Sequence, residues 1–477
     1  MNVGNFGLHK LANAELERLL RALHRGALVS PITRSDLIEK AFGHIEGHLD
    51  LVVGRDVAAA KALVIAVLSE RAAQKAREGK PVFGGLAVPG EALTFELATA
   101  TRVVFGAGKI DVVPGFLAEI GVTRVLAVTG ARADRGASLW DALTARGVVV
   151  TTFSVVAEPT VDVARAGVEA ARTAGAEAVI ALGGGSVIDA GKAIAALAAN
   201  GGDPLDYLEV VGRGAPLTQP PLPFVAIPTT AGTGAEVTRN AVLGSPEHGV
   251  KASLRSPLML PRLAVVDPDF LAGAPAEVLR ASGLDALSQL IEPFVSVRAN
   301  PLADALAREG LSRSRRSLKR AVLGAAGDQE REDLALASLF GGLCLANSGL
   351  GAVHGFAAPL GGMFHAPHGA VCAALLPHVM AVNLRALTQR DPHGTILPRY
   401  TELARVLTGE PSAVALDGVK WVTTLCRDLE VPGLSAYGMS EADVGPLIEK
   451  AARASSMKGN SILLSPDELE EIARLSI

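Results

Sequence analysis

Apolar and polar positions alternate with three different rhythms along the chain. Over the first ninety-odd residues, Leu16, Leu19, Leu20 and Leu23 recur at helical spacing. Thr33-Arg34-Ser35-Asp36 resembles a capping box leading into DLIEKAFGHIEGHL. A third, Ala-rich segment runs from Asp56 to about Glu78, and KPVFGGLAVPGEA then gathers Pro and Gly into a linker. From Thr94 the pattern changes: RVVFG, VTRVLAVTG, VVVTTFSVV, AEAVIALGGGS and PFVAIPTTAGTG read as strands. VPGFLAEIG, ASLWDALTARG and VDVARAGVEAARTAG read as helices between them. After about Asp267 the strands cease, and helical segments such as PAEVLRASGLDALSQLIEPFVS and AVCAALLPHVMAVNLRAL fill the remainder.

Strands alternating with helices predict a doubly wound parallel sheet. The expected organisation is α/β plus all-α: a helical extension and linker over 1–93, a nucleotide-binding α/β domain over 94–272, and a helical domain over 273–477 that carries metal and substrate. Ligands of open α/β sheets bind at the carboxyl ends of strands. A cleft between an α/β half and a helical half is a favourable place for a small molecule.

Composition narrows the function classes. Hydrophobic residues make up 49% but aromatic residues only 4%, so Ala, Val, Leu and Gly dominate, which suits close-packed helices and parallel strands. The net charge is −4 with both signs mixed and no basic run, which argues against nucleic acid as a partner. The most apolar run, Val57 to Leu68, is twelve residues and too short to span a bilayer. Three scattered cysteines and no secretory signal pattern suit a reducing cytoplasm.

Two loops have nucleotide chemistry. GGGSVIDAGKAIA follows a buried strand and opens a helix, so Gly184 and Gly185 permit close backbone approach and the helix N-terminus offers free N–H groups to phosphate. Ser186, Asp189 and Lys192 add a hydroxyl, a carboxylate and a charge. PTTAGTGAEVT supplies Thr229, Thr230 and Thr233 to a nucleotide, and Lys251 lies downstream as a weaker candidate. At the end of the second strand, Gly130 stands where an acid would bind a ribose 2′-OH and repel a 2′-phosphate. With Arg132 and Arg135 just beyond, NADP is favoured over NAD.

The third constellation is metal-like. Asp285 and Gln289 stand four apart, on one face of a helix, and His354 and His368 bracket HGFAAPLGGMFHAPH. Carboxylate and imidazole suit a borderline divalent ion, Fe²⁺ or Zn²⁺, but position 289 carries an amide where a further imidazole would complete the set. Cys372, four residues after His368, is a conceivable soft ligand, with a buried free thiol as the default reading. His24, His44 and His48 read as scattered surface histidines.

GGGSVIDAGKA, PTTAGTGAEVT, GLDALSQLIEPFVS and HGFAAPLGGMFHAPHGAVCAALLPHVM, in this order, resemble the iron-containing (group III) alcohol dehydrogenase family over roughly Thr94 to Ile477. The resemblance implies an NAD(P)-binding α/β domain, a helical metal domain and an active site between them. It places the family's four ligands on Asp285, Gln289, His354 and His368, with Asp285, His354 and His368 as the catalytic set. It also marks Ala358 as a departure, because members often carry a histidine there that is linked to proton relay. His365 is a partial substitute if its loop turns inward.

Three readings of Gln289 follow. Metal is held by Asp285, His354 and His368 with Gln289 as a weak ligand or an orienter of water; metal has been abandoned in favour of protein hydrogen bonds; or catalysis has been lost. The first is favoured, because three ligands persist together at their spacing. The expected function is NAD(P)-dependent, metal-assisted interconversion of a small alcohol and its aldehyde or ketone, in a homodimer or higher homo-oligomer. The alternatives are a metal-independent enzyme like the maleylacetate reductases, and a non-catalytic scaffold or regulator that keeps the fold.

Overall fold

The computed structural model describes residues 95–364 and 366–477. The helices, capping box and histidines expected before Thr94 lie outside the described residues, as does His365. The first described elements are β1 (Val103–Phe105), α1 (Val113–Glu119), β2 (Arg124–Thr129), α2 (Ala137–Thr144), β3 (Val149–Ser154), α3 (Val161–Thr173), β4 (Ala178–Gly183), α4 (Gly185–Asn200) and β5 (Phe224–Pro228). They are followed by β6 (Asn240–Ser245), β7 (Val250–Arg255) and β8 (Leu263–Val266).

Six strands form one parallel sheet in the order β1-β8-β5-β4-β2-β3. Successive strand residues point to opposite faces, and the packing follows that period. Val125, Ile180, Val225 and Ile227 meet Phe116, Leu117, Leu139 and Leu143 of α1 and α2 on one face. Leu126, Val179, Phe224 and Ala226 meet Ala171, Val187, Ile188 and Ile194 of α3 and α4 on the other. β4 and β5 are buried throughout, as near-continuous apolar strands covered on both faces should be. The doubly wound arrangement is therefore as expected.

Two features were not anticipated. β8, only LAVV, is a strand because it completes the sheet between β1 and β5. β6 and β7 form a separate antiparallel hairpin that packs on α4. Its alternating half-buried pattern is weaker than that of the central strands, and its stability comes from tertiary contact.

The helical half is α5 (Ala276–Phe294), α6 (Pro301–Val322), α7 (Asp328–Ser348), α8 (Ala352–Phe364) and α9 (His368–Arg390), then α10 (Leu397–Thr408), α11 (Ala415–Asp428), α12 (Val444–Ala452) and α13 (Pro466–Leu475). α5 lies against α6, α7 and α9 and is buried without interruption from Gly283 to Phe294. α9 is long and apolar enough to cross a membrane by length and composition, and 83% of that apolar window is buried within the protein as a core helix.

Close backbone approach brings the parts together. Gly234, at φ 58°, sits so near α7 that an added Cβ would stand 2.4 Å from the Gly342 Cα. A Cβ at Gly369, in the first turn of α9, would stand 2.3 Å from the Ala281 carbonyl of α5. Without a glycine at 369, α9 could not lay its first turn against the Asp285 face of α5.

Candidate active site

The sheet itself locates the nucleotide end. The chain leaves β2 outward to β3, then returns past β2 to β4 and continues the other way to β5. Adjacent strands β2 and β4 thus flank a topological switch point, where a crevice opens at the carboxyl ends. The register levels those ends: Thr129 pairs with Leu182 and Gly183 with Pro228. Gly130, the Gly184–Ser186 turn and the Thr229–Thr233 loop therefore share one rim.

Gly184 caps α4 with no side-chain hydrogen bond, leaving the first N–H groups of a sixteen-residue helix for a ligand. Gly184, Gly185 and Ser186 are half-buried, as are Thr230 and Thr233, whereas Thr229 is buried. The two loops touch: a Cβ at Gly185 would lie 2.8 Å from the Thr233 hydroxyl, and one at Gly184 3.4 Å from that of Thr230. Any larger side chain at 185 would fill the space above the helix terminus.

Other candidate residues have different surroundings. Lys192 faces inward, and its ammonium donates to the Thr238 hydroxyl at 2.9 Å and the Asn240 carbonyl at 2.6 Å, with Asp189 at 3.4 Å. It ties α4 to β6 and is not presented to the phosphate turn. Burial pushes its pKa down, and burial likewise raises that of Asp189, whose carboxylate also accepts from the Val242 N–H at 3.1 Å. Lys251 pairs with Glu158 at 2.5 Å and lies under Gly361 of α8. Arg135 donates to the Phe270 carbonyl, and Arg132 is an exposed side chain paired with Asp134 at 3.3 Å.

A buried carboxyl lies behind the threonine loop. Glu236 is 1% exposed, and burial pushes its pKa up to about 7 despite the nearby Lys192. It lines a small cavity together with Thr230, Asp267 and Ser338.

The metal-like residues do converge. Asp285 comes from the buried face of α5, His354 from the first turn of α8, and His368 from the first position of α9. The His354 Nε2 lies 3.3 Å from Asp285 Oδ1, and the His368 Nε2 lies 3.7 Å from the same oxygen. Cys372, one turn along α9, places its Sγ 3.8 Å from the His354 Nε2 and 3.7 Å from the His368 Nε2. One ligand atom from each of these four residues lies within 4.8 Å of the other three.

Glu292 was not singled out from the sequence. Its carboxylate holds the His354 Nδ1 at 2.5 Å and accepts the Val353 N–H at 2.7 Å, which turns the Nε2 toward Asp285. A signal was present, because Asp285, Gln289 and Glu292 are polar at i, i+4 and i+7 and so share one face of α5. Buried polar groups at helical spacing need a common partner.

A divalent cation fits this cluster. Asp285 Oδ1 and Gln289 Oε1 are buried, and neither has a hydrogen-bond partner among the described residues. Burial opposes ionisation of Asp285, but the charges of His368 and His354 and a contact from Gln289 outweigh it and hold its carboxyl below the usual range. The charge of Cys372, set against burial and joined by Asp285, pushes the His368 pKa up to about 9. For His354 burial is again opposed, by Cys372, Glu292 and Asp285, and the pKa rises well above its ordinary value. The excess of negative charge that would hold protons there is what a dication neutralises. His368 is more than a third exposed, so the cluster opens on that side. Ala358, one turn beyond His354 on the same face of α8, is exposed and has no titratable group.

A nucleotide rim on a doubly wound sheet, beside a cation site in an appended helical half, defines a class: metal-dependent, nucleotide-dependent oxidoreductases. The profile described as "Iron-containing alcohol dehydrogenase" matches residues 100–268, and "Fe-containing alcohol dehydrogenase family, C-terminal" matches residues 280–477. The chain belongs to the iron-containing alcohol dehydrogenase family and is an oxidoreductase of that type. It is 34% identical to 1,3-propanediol dehydrogenase of Klebsiella pneumoniae, over 78% of this chain and 95% of that one. It is 32% identical to lactaldehyde reductase of Escherichia coli, over 77% and 96%. Among solved structures, a 1,3-propanediol oxidoreductase matches with a TM-score of 0.74 and 31% identity, covering 81% of this chain and all of that one. Sulfoacetaldehyde reductase from Bifidobacterium kashiwanohense, solved in complex with NAD+, matches with a TM-score of 0.72 and 26% identity, over 81% and 99%.

Proposed function

We propose that this enzyme transfers hydride reversibly between NAD(P) and a small, polar alcohol or aldehyde of two or three carbons. The observation that carries the reading is the convergence of Asp285, His354 and His368 around two unpartnered buried oxygens, beside the nucleotide rim. The names of the relatives, 1,3-propanediol dehydrogenase and lactaldehyde reductase, support the substrate size.

Each residue then has a task. The Gly184–Ser186 turn receives the pyrophosphate at the α4 terminus, and Thr230 and Thr233 hydrogen-bond the nicotinamide side. Asp285, His354 and His368 hold the cation and Glu292 fixes the tautomer of His354. When bound, the metal supplies Lewis-acid polarisation of the substrate oxygen. Ala358 offers no group to move a proton, so proton exchange falls to water at the open side of His368.

For the cofactor, the absence of an acid at Gly130 still favours acceptance of NADP. Arg135 is engaged by Phe270, which leaves Arg132 as the arginine to reach a 2′-phosphate. The NAD+ held by the sulfoacetaldehyde reductase supports NAD as the other partner. The three cysteines are free and buried, which suits a reducing cytoplasm, and a homo-oligomer is part of this reading.

The test is oxidation of NADH and NADPH with 3-hydroxypropanal, lactaldehyde and sulfoacetaldehyde, before and after chelation. Turnover lost on chelation and restored by a divalent metal is expected. Turnover that chelation leaves intact would move the enzyme to the metal-independent reductases, and no turnover with intact metal would sink the substrate class.

A further inference from the structure

Position 289 is the departure in the ligand set, and the structure brings a different donor to the same centre. Of the three cysteines, Cys344 donates to the Ala303 carbonyl at 3.2 Å and Cys426 to the Ala373 carbonyl at 3.7 Å, as buried structural thiols do. Cys372 instead contacts the two imidazole nitrogens that face Asp285. It is 0% exposed, and it shares a face of α9 with His368, one turn away.

The separations can be compared with those around a single ion. In a tetrahedral zinc site with Zn–S of about 2.3 Å and Zn–N and Zn–O of about 2.0–2.1 Å, sulfur stands roughly 3.5 Å from nitrogen, and nitrogen roughly 3.3 Å from oxygen. Here the sulfur–nitrogen distances are 3.7 and 3.8 Å, and the nitrogen–oxygen distances are 3.3 and 3.7 Å. These four separations exceed the tetrahedral values by no more than a few tenths of an ångström, and the remaining pairs lie within 4.8 Å. Gln289, by contrast, packs its Cβ against Gly341 of α7 and hydrogen-bonds Asp285. Its unpartnered Oε1 is suited to holding a water beside the metal.

We propose that Cys372 is a metal ligand, so that the site in this chain is Asp285, His354, His368 and Cys372, with a thiolate taking over from the imidazole missing at 289. The donor set becomes softer than one of carboxylate and imidazoles alone. Thiolate selects for zinc, and zinc lies above Fe²⁺ in affinity for mixed N, O and S sites. The enzyme is thus a zinc protein by ligand chemistry within an iron-type fold. His368 is the most exposed of the four residues, so a substrate oxygen would reach a bound cation from its side.

This rests on the reading that the chain binds a divalent metal, and cobalt separates the two claims. Metal-free protein is titrated with Co²⁺ under anaerobic conditions and followed by absorption. The expected result is one equivalent bound, visible d–d bands and a near-ultraviolet thiolate-to-cobalt charge-transfer band. Cys372→Ser should keep the d–d bands and lose the charge-transfer band, whereas Cys344→Ser and Cys426→Ser should keep both. In equimolar competition the parent should prefer Zn²⁺ over Fe²⁺, and Cys372→Ser should narrow that preference at least tenfold. Bound cobalt without a charge-transfer band in the parent overturns the thiolate ligand while leaving the metal reading intact. A charge-transfer band that survives in Cys372→Ala overturns that ligand equally. Failure of the parent to bind cobalt or zinc at all overturns both.

Discussion

The glycine–threonine rim and the His/Asp cluster are built on opposite principles. The nucleotide rim works by absence: glycines at 184 and 185 and the uncapped first turn of α4 leave N–H groups and room for a ligand. The candidate metal cluster works by presence, with charged and polar side chains gathered where three buried helices meet. At the rim, a bulkier side chain is what does harm, whereas at the cluster the removal of a single atom does.

The largest effect is expected at the cluster. Asp285→Ala removes the oxygen central to both imidazoles, and loss of several kcal/mol of transition-state stabilisation corresponds to about 10³-fold or more in kcat. Metal analysis should show the ion gone, while NAD(P) affinity, read by fluorescence titration, stays within about twofold. A joint loss would mean the two regions are not separable. Gly185→Val tests the other principle. Overpacking against Thr233 at a cost of about 1–3 kcal/mol should weaken the cofactor Kd by roughly 10–100-fold with metal content unchanged.

Glu292→Gln asks whether orientation matters as much as ligation. Loss of the carboxylate on the His354 Nδ1 should lower metal affinity by about 10–100-fold, measured by chelator competition, with the fold intact by circular dichroism. The last test concerns stability and not activity, at Glu236 behind the threonine loop. Its folded pKa of about 7 lies above its ordinary 4.5, so from pH 4.5 to 7 the unfolded state is ionised while the folded state stays largely protonated. Stability due to this group is full below pH 4.5 and is lost as the pH rises through 7. Glu236→Gln should therefore gain about 3 kcal/mol relative to the parent at pH 8 and nothing near pH 4, read from denaturant melts. An equal gain at both pH values would refute the buried-carboxyl account.

Much of this was legible in the chain. The strand–helix rhythm from Thr94 predicted the sheet because alternation and burial are local properties of a few residues. The glycine and threonine loops were readable as small-residue turns at strand ends, and the structure places both at the carboxyl ends of β4 and β5. β8 and the β6–β7 hairpin were less legible, since both depend on neighbours far along the chain. Lys192 looked like a phosphate ligand by its spacing, but the buried face of α4 and the carbonyl of Asn240 claim it. Glu292 announced itself only through helical period, and its target lies sixty-two residues away.

The division has a physical basis. Local rules set which segments are strands and helices and where glycine leaves backbone open, since each rests on short stretches, whereas the grouping of Asp285, His354 and His368 came from the resemblance to a known family. Which further atoms reach that centre was decided by how α5, α8 and α9 cross. The close approach at Gly369 sets the depth of α9, and with it the reach of Cys372 to both imidazoles, because helix crossings are fixed by side-chain packing over the whole interface.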